Sequence, residues 1–167
     1  PVWVAGSTHE GEESMVLDAH RRVREQFPDA LLLLVPRHPP RFGAVRELLL
    51  RRGESFVTRS SGESIGPEVA VMLGDSMGDL TGFYAAADVA FVGGSLVPVG
   101  GHNLLEPAAV GKPVLIGPHC FNDESAMRLL VEAGAASIVN DSVQLADRLV
   151  ELISQPQQRA AMGDAGR

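Results

Sequence analysis

Cysteine is nearly missing from this chain of 167 residues, which holds one, Cys120. A lone thiol excludes an internal disulfide framework and cannot by itself make a Cys-based zinc site, so a reducing compartment is the natural setting. Lysine is equally scarce. Lys112 is alone among 14 cations, the other 13 being arginines scattered along the chain, against 21 Asp and Glu. A formal net charge of −7 without a basic cluster argues against a general nucleic-acid binder, which needs a basic footprint. No apolar run approaches the roughly 20 residues of a membrane-spanning helix, so the chain reads as soluble. The five histidines are dispersed and no HExxH or paired Cys/His spacing occurs, so no metal cage is expected. A P-loop is missing too, because Val110-Gly111-Lys112-Pro113 lacks the first glycine of GxxxxGK. Gly6-Ser7-Thr8-His9-Glu10-Gly11 and Gly93-Gly94-Ser95 lack the GxGxxG spacing of NAD binders.

What is present is a 45% hydrophobic fraction, enough for the core of one domain. Short apolar runs rich in β-branched residues recur at Val2–Ala5, Leu31–Val35, Ser55–Thr58, Val69–Leu73, Val89–Val92, Val114–Ile116 and Ala136–Val139, and each reads as a buried strand. Between most of them lie stretches of helical spacing: Glu12–Phe27, Ala44–Arg52, Leu80–Ala87, Asn103–Val110, Ser125–Ala133 and Ser142–Ser154. Strands apolar throughout are covered on both faces, which predicts an α/β fold, a Rossmann-like parallel sheet flanked by helices. Residues 1–167 read as a single domain with no repeat or linker; Arg59–Glu68, rich in Ser and Gly, reads as a surface loop. The chain enters at once on an apolar strand and stops at Asp164-Ala165-Gly166-Arg167 without a finishing element, which suggests a piece of a longer protein.

In such sheets ligands sit beyond the carboxyl ends of the strands. Phe91-Val92-Gly93-Gly94-Ser95, followed by Gly100-Gly101-His102-Asn103-Leu104-Leu105-Glu106-Pro107, places two glycine pairs ahead of a predicted helix N-terminus, a place for a phosphate. Glu106 on the first turn is placed to accept both hydroxyls of a ribose. The same spacing also fits a capping pair, Asn103 as N-cap and Glu106 at N3, and the two readings stand side by side. Arg37, in Pro36-Arg37-His38-Pro39-Pro40, leaves a strand end between prolines, which suits a phosphate or carboxylate as well as a solvated charge. Thr8 with acidic residues behind it reads as a helix N-terminus, with Glu12 and Glu13 favoured by the dipole. His9 and His38 fit acid–base groups as well as loop hydrogen-bonders, which sequence does not separate, and the plainer role is favoured for both. Gly74-Asp75-Ser76-Met77-Gly78-Asp79 exposes backbone groups of the kind that read the edge of a base.

Together, five blocks in order resemble the 3-deoxy-D-manno-octulosonic acid (Kdo) transferases of lipopolysaccharide synthesis: Ser7-Thr8-His9-Glu10-Gly11-Glu12, Pro36-Arg37-His38-Pro39, Gly74 to Leu80, Phe91 to Val97 and Gly100 to Glu106. They span nearly the whole chain. The resemblance implies the C-terminal, donor-binding half of a GT-B glycosyltransferase that moves Kdo from CMP-Kdo onto a lipid A precursor, with inversion and without a metal. CMP-Kdo is then the donor substrate and CMP the product, with no further cofactor. It implies CMP contacts at Pro36, Arg37, Met77, Gly78, Asp79, Asn103, Leu104, Leu105 and Glu106. The acceptor site, the carboxylate general base and the membrane-associating segment belong to an N-terminal domain absent from this chain. No catalytic residue is therefore assigned, the chain alone is expected to be inactive, and the full enzyme is expected at the cytoplasmic face of the bacterial inner membrane. Leu104 stands where the family often has proline, and Asp123 where an aromatic residue commonly follows Phe121-Asn122. A GT-B domain for a UDP-sugar donor is the alternative, and a noncatalytic interaction module a third reading.

Overall fold

The computed structural model describes all residues, Pro1–Arg167. Seven strands form one sheet: β1 (Val2–Thr8), β2 (Leu31–Pro36), β3 (Phe56–Thr58), β4 (Val71–Leu73), β5 (Val89–Val92), β6 (Val114–Ile116) and β7 (Ala136–Ile138). Their order is β3-β4-β2-β1-β5-β6-β7, and every pairing is parallel. Each predicted strand is present, as is the parallel sheet. Seven helices accompany them: α1 (Glu12–Gln26), α2 (Phe42–Arg51), α3 (Leu80–Ala86), α4 (Leu105–Ala109), α5 (Glu124–Glu132), α6 (Ser142–Ser154) and α7 (Pro156–Ala165).

Alternation along the strands sorts side chains onto two faces. Trp3 and Ala5 of β1 join Leu32 and Leu34, Phe91, Val16 and Leu17 of α1, Leu49 of α2, and Leu145 and Leu149 of α6 in the larger core cluster. Between them, Val4, Leu33 and Ala90 face the other way, onto Tyr84 of α3, while Val92, Val114 and Ile116 meet Ala108 of α4 and Leu130 of α5. Because both faces are covered, the central strands can be apolar at every position, which is why the sequence shows runs rather than alternation. Trp3 is fully buried, and its indole N–H donates to Nδ1 of buried His20 at 2.9 Å. The other ring nitrogen of His20 reaches the Ala70 carbonyl at 2.7 Å, so this buried polar pair is satisfied. Burial pushes His20 down to about 4, with the Arg24 cation adding to the fall against the opposing bond to Ala70.

Three helical expectations need correction. The chain does not stop loose: α7 follows α6 directly with Pro156 in its first turn, the position proline favours because its missing N–H has no intrahelical use. Its weak amphipathy, with only Met162 and Gly163 buried, left no periodic signal. Thr8 does not begin a helix; it is the last residue of β1, and α1 starts at Glu12 after Gly11 in a left-handed turn, φ 86°. The helix predicted from Asn103 begins instead at Leu105 and runs for 5 residues, Pro107 falling in its first turn. Side-chain N-caps form at two helices: Asp123, the residue unusual for the resembled family, accepts the Ala126 N–H at 3.1 Å at α5, and Asp141 accepts the Gln144 N–H at 2.8 Å at α6.

Candidate functional site

Strand order reverses between β1 and β5, the seam where open parallel sheets bind ligands. Beside it a cleft of about 260 Å³ opens at the carboxyl end of the sheet, near the lower bound of roughly 300 Å³ for ligand pockets. Pro36 and Arg37 from the end of β2, Met77 and Gly78 from the loop after β4, and Asn103 and Glu106 from the start of α4 all line it. Three loops distant in sequence are thus brought together.

The cleft has a definite polarity. Arg37 is exposed and unpaired, and its backbone N–H donates to the Thr8 carbonyl at 2.9 Å, which fixes the loop at the strand end. The β1–β2 register shifts between Gly6 and Thr8, where Ser7 adopts φ 57°, a conformation that a non-glycine residue holds only under constraint. Ser7 lines the cleft as a result. Glu106, which also lines the cleft, accepts a hydrogen bond from the Thr81 hydroxyl of α3. Asn103 Oδ1 accepts from the Leu105 N–H at 3.0 Å, a local turn just ahead of α4, whose N-cap is Leu104 without a side-chain cap; the capping pair is not formed, and the Glu106 carboxylate turns toward Thr81 of α3 while lining the cleft. Met77 is 68% exposed and Gly78, at φ 86°, faces open space, leaving that loop free to meet a flat ring.

The remaining residues of the resemblance lie beside the cleft. Asp79 accepts from the Ser76 hydroxyl at 2.5 Å, stands 3.7 Å from Arg59 and lines a neighbouring surface cavity. Leu104 is buried in the core beneath α4, while Leu105 is half exposed. Sequence reasoning missed Val35, Phe42, Leu80 and Tyr84 as lining residues; apolar side chains at element ends carry no signal that separates lining from core. His102 also lines the cleft, and its Nε2 lies 2.6 Å from Nε2 of His9, so His9 is indeed held in a loop hydrogen bond.

The glycine-rich loop after β5 departs from its expected use. Glu12, fully buried, accepts the N–H groups of Gly94 at 2.8 Å, Ser95 at 3.2 Å and Leu96 at 3.0 Å, and that of His9 at 3.1 Å. The backbone at the first glycine pair, expected to approach a ligand closely, instead holds a carboxylate of the chain itself. Burial pushes the Glu12 carboxyl up, and the four N–H bonds pull it partly back. Gly93 is needed for this closure because any Cβ there would collide with the Ser7 carbonyl. Gly94, at φ 72°, supplies the left-handed turn that aims the amides at Glu12. Glu13, beside it, accepts from Nη1 and Nη2 of Arg41, each at 2.8 Å.

A family model, glycosyl transferases group 1, matches residues 8–167. The 3-deoxy-D-manno-octulosonic acid transferase of Haemophilus influenzae is 46% identical over 167 residues, covering 99% of this chain and 39% of that protein. The enzyme of the same description from Bordetella pertussis is 42% identical over 171 residues, covering 100% of this chain and 40% of its own. The chain therefore spans about two fifths of the length of these curated relatives. Among solved structures, the C-terminal CMP-Kdo binding domain of WaaA from Acinetobacter baumannii superposes with a TM-score of 0.94 at 34% identity, over 99% of this chain and 86% of that one.

Proposed function

Since the chain belongs to the glycosyl transferases group 1 family, and within it to the Kdo transferases, we propose that its cleft binds the CMP part of CMP-Kdo for transfer of Kdo to a lipid A precursor. The observation that carries this reading is the convergence on one cleft of an unpaired Arg37, Glu106 and the exposed Met77-Gly78 loop. A guanidinium matches a phosphate geometrically and electrostatically. The Glu106 carboxylate, braced by Thr81, accepts from the ribose hydroxyls, and the free backbone around Gly78 meets the cytosine edge. Pro36 and Asn103 complete the walls, while Asp79, Leu104 and Leu105 hold the two loops from behind. The resemblance of this fold to a CMP-Kdo binding domain supports the choice of nucleotide.

In the reaction the anomeric carbon of Kdo is attacked by an acceptor hydroxyl while CMP leaves with inversion. Negative charge then grows on the departing phosphate. Arg37 stabilises it, a contribution of a few kcal/mol for one well-placed donor, and Glu106 holds the ribose so that the leaving bond stays oriented. One phosphate needs one cation, so no metal is invoked. The diphosphate of a UDP-sugar would bring a second phosphate with no second unpaired arginine to meet it. The general base, the acceptor lipid and attachment to the membrane are assigned to the N-terminal part present in full-length relatives. None of the helices here is long and apolar enough to cross a membrane.

Calorimetric titration with CMP, UMP, UDP and AMP in EDTA tests the reading. Selective CMP binding is expected, and preference for UDP would overturn it. Glu106→Ala should weaken CMP binding about tenfold, the worth of a charge-assisted hydrogen bond, while lowering stability by less than about 1 kcal/mol, because only the exposed bond to Thr81 is lost. Unchanged affinity with a large fall in melting temperature would make Glu106 a structural brace.

A further inference from the structure

His9 leaves the end of β1 and His102 closes the loop after β5, so the two rings meet across the seam where strand order reverses. Their Nε2 atoms are 2.6 Å apart, the ring planes differ by 2° and the centroids lie 4.8 Å apart. Two ring nitrogens so placed share one proton: one ring donates Nε2–H, and the other accepts on a bare Nε2 while carrying its own proton on Nδ1. The couple is uncharged as a unit.

Arg37 and Arg41 bring positive charge to it, with Glu13 and, beside Arg41, Glu10 as the acidic neighbours. His38 packs edge-on to His9 with centroids 5.3 Å apart. Burial first, then His38, Arg41 and Arg37, lower the His9 pKa, with Glu13 the one opposing carboxylate. Glu13 is itself neutralised by Arg41. Glu12, next in sequence, spends its oxygens on backbone N–H groups, including that of His9. Burial, His9, Arg37 and His38 push His102 down to about 4. A neutral titratable couple thus sits in a positive potential, and one of its members lines the cleft beside Ser7, Arg37 and Asn103. A loop tie alone does not need two histidines head to head; an amide would serve.

We propose that the His9–His102 couple is the seat of the donor sugar's carboxylate, and that it opens to receive this anion with uptake of one proton. The inference rests on CMP-Kdo being the donor. In that molecule the anomeric carbon carries both the phosphate oxygen and a carboxylate, so two anions arrive side by side and Arg37 is committed to the first. One proton enters from solvent at the bare Nε2. With hydrogen on both Nε2 atoms the N–H···N bond breaks, and an imidazolium and a neutral imidazole each turn an N–H toward the carboxylate. When the sugar leaves for the acceptor its carboxylate goes with it, the extra proton returns to solvent, and the couple recloses against CMP. The bound state holds one proton more than the free state, so affinity for CMP-Kdo rises as pH falls.

The test is calorimetry of the unmodified chain with fresh CMP-Kdo and with CMP, each in two buffers of different ionisation enthalpy, alongside NMR of the histidine ring nitrogens. CMP-Kdo is expected to take up about one proton, to move the signals of both rings toward the protonated pattern, and to gain up to about tenfold in affinity over CMP per unit fall of pH between 8 and 7, the factor for one linked proton. His102→Gln should abolish the uptake and weaken CMP-Kdo about tenfold more than CMP. CMP-Kdo bound with no uptake and unmoved ring signals overturns the proposal. Equal uptake with CMP overturns it as well, since the phosphate would then be the anion sensed. A His102→Gln chain with the original ratio of affinities does the same. Failure of both ligands to bind overturns the donor-site reading on which it rests, whereas CMP binding without a response to the carboxylate leaves that reading standing.

Discussion

At one end of the same sheet, two loops expose backbone N–H groups and meet opposite fates. The Gly93–Leu96 loop, richer in glycine and the stronger phosphate signal, is closed by the buried carboxylate of Glu12, 82 to 84 residues away in sequence. The Met77-Gly78 loop, on the cleft edge with the exposed Arg37 side chain, has no partner within the chain for its N–H groups and stays open. A glycine-rich turn therefore becomes a binding loop only if the fold leaves its donors unsatisfied; where a side chain of the chain reaches them first, the same turn becomes structure. The closed loop supports the site indirectly. It fixes the Gly93–Leu96 backbone and, through the bond to the His9 N–H, it anchors the histidine that meets His102.

If the closed side is structural and the open side functional, mutations should separate stability from binding. The largest loss of stability is expected for Glu12→Ala, which strands four N–H groups, three of them in the buried loop; about 3 kcal/mol or more should go, seen as a fall of roughly 10 °C in melting temperature. A loss under about 1 kcal/mol would break the comparison, because other contacts would then be holding the loop. Next comes pH. The native value of His20, about 4, lies below its ordinary 6.5, so the neutral ring contributes stability above that ordinary value, and the contribution disappears as pH falls toward 4. On the order of 3 kcal/mol is expected to be lost over that interval, and denaturant midpoints of a His20→Gln chain should lack this part of the acid dependence. On the open side the order reverses. Arg37→Ala should change stability by no more than about 0.5 kcal/mol, as for an unpaired surface charge, yet weaken CMP binding about tenfold. A stability change as large as that of Glu12→Ala would erase the distinction between the two loops.

Much of this was readable beforehand. Every strand was marked by its apolar run, since a doubly covered parallel sheet must be apolar at each position. The loops holding Arg37, Met77-Gly78 and Asn103 to Glu106 were recognisable by glycine, proline and charge at strand ends. Three things were not. The helix α7 buries too little to leave a period, and the role of Glu12 as the internal anion was hidden because a carboxylate in a first helical turn looks the same in sequence whether it meets solvent or a loop far along the chain. The turning of Glu106 toward Thr81 was hidden because helix α4 starts two residues later than the spacing suggests.

Local chemistry, then, determined the elements of this protein and the residues offered to a ligand, because hydrophobic periodicity and turn preference act over a few neighbouring residues. Only the tertiary structure decided which of those residues remain available. Whether an N–H, a carboxylate or an imidazole faces a ligand or a partner within the chain depends on strand order. Here that order sets β1 between β2 and β5, bringing Glu12 to the glycine loop and His9 to His102.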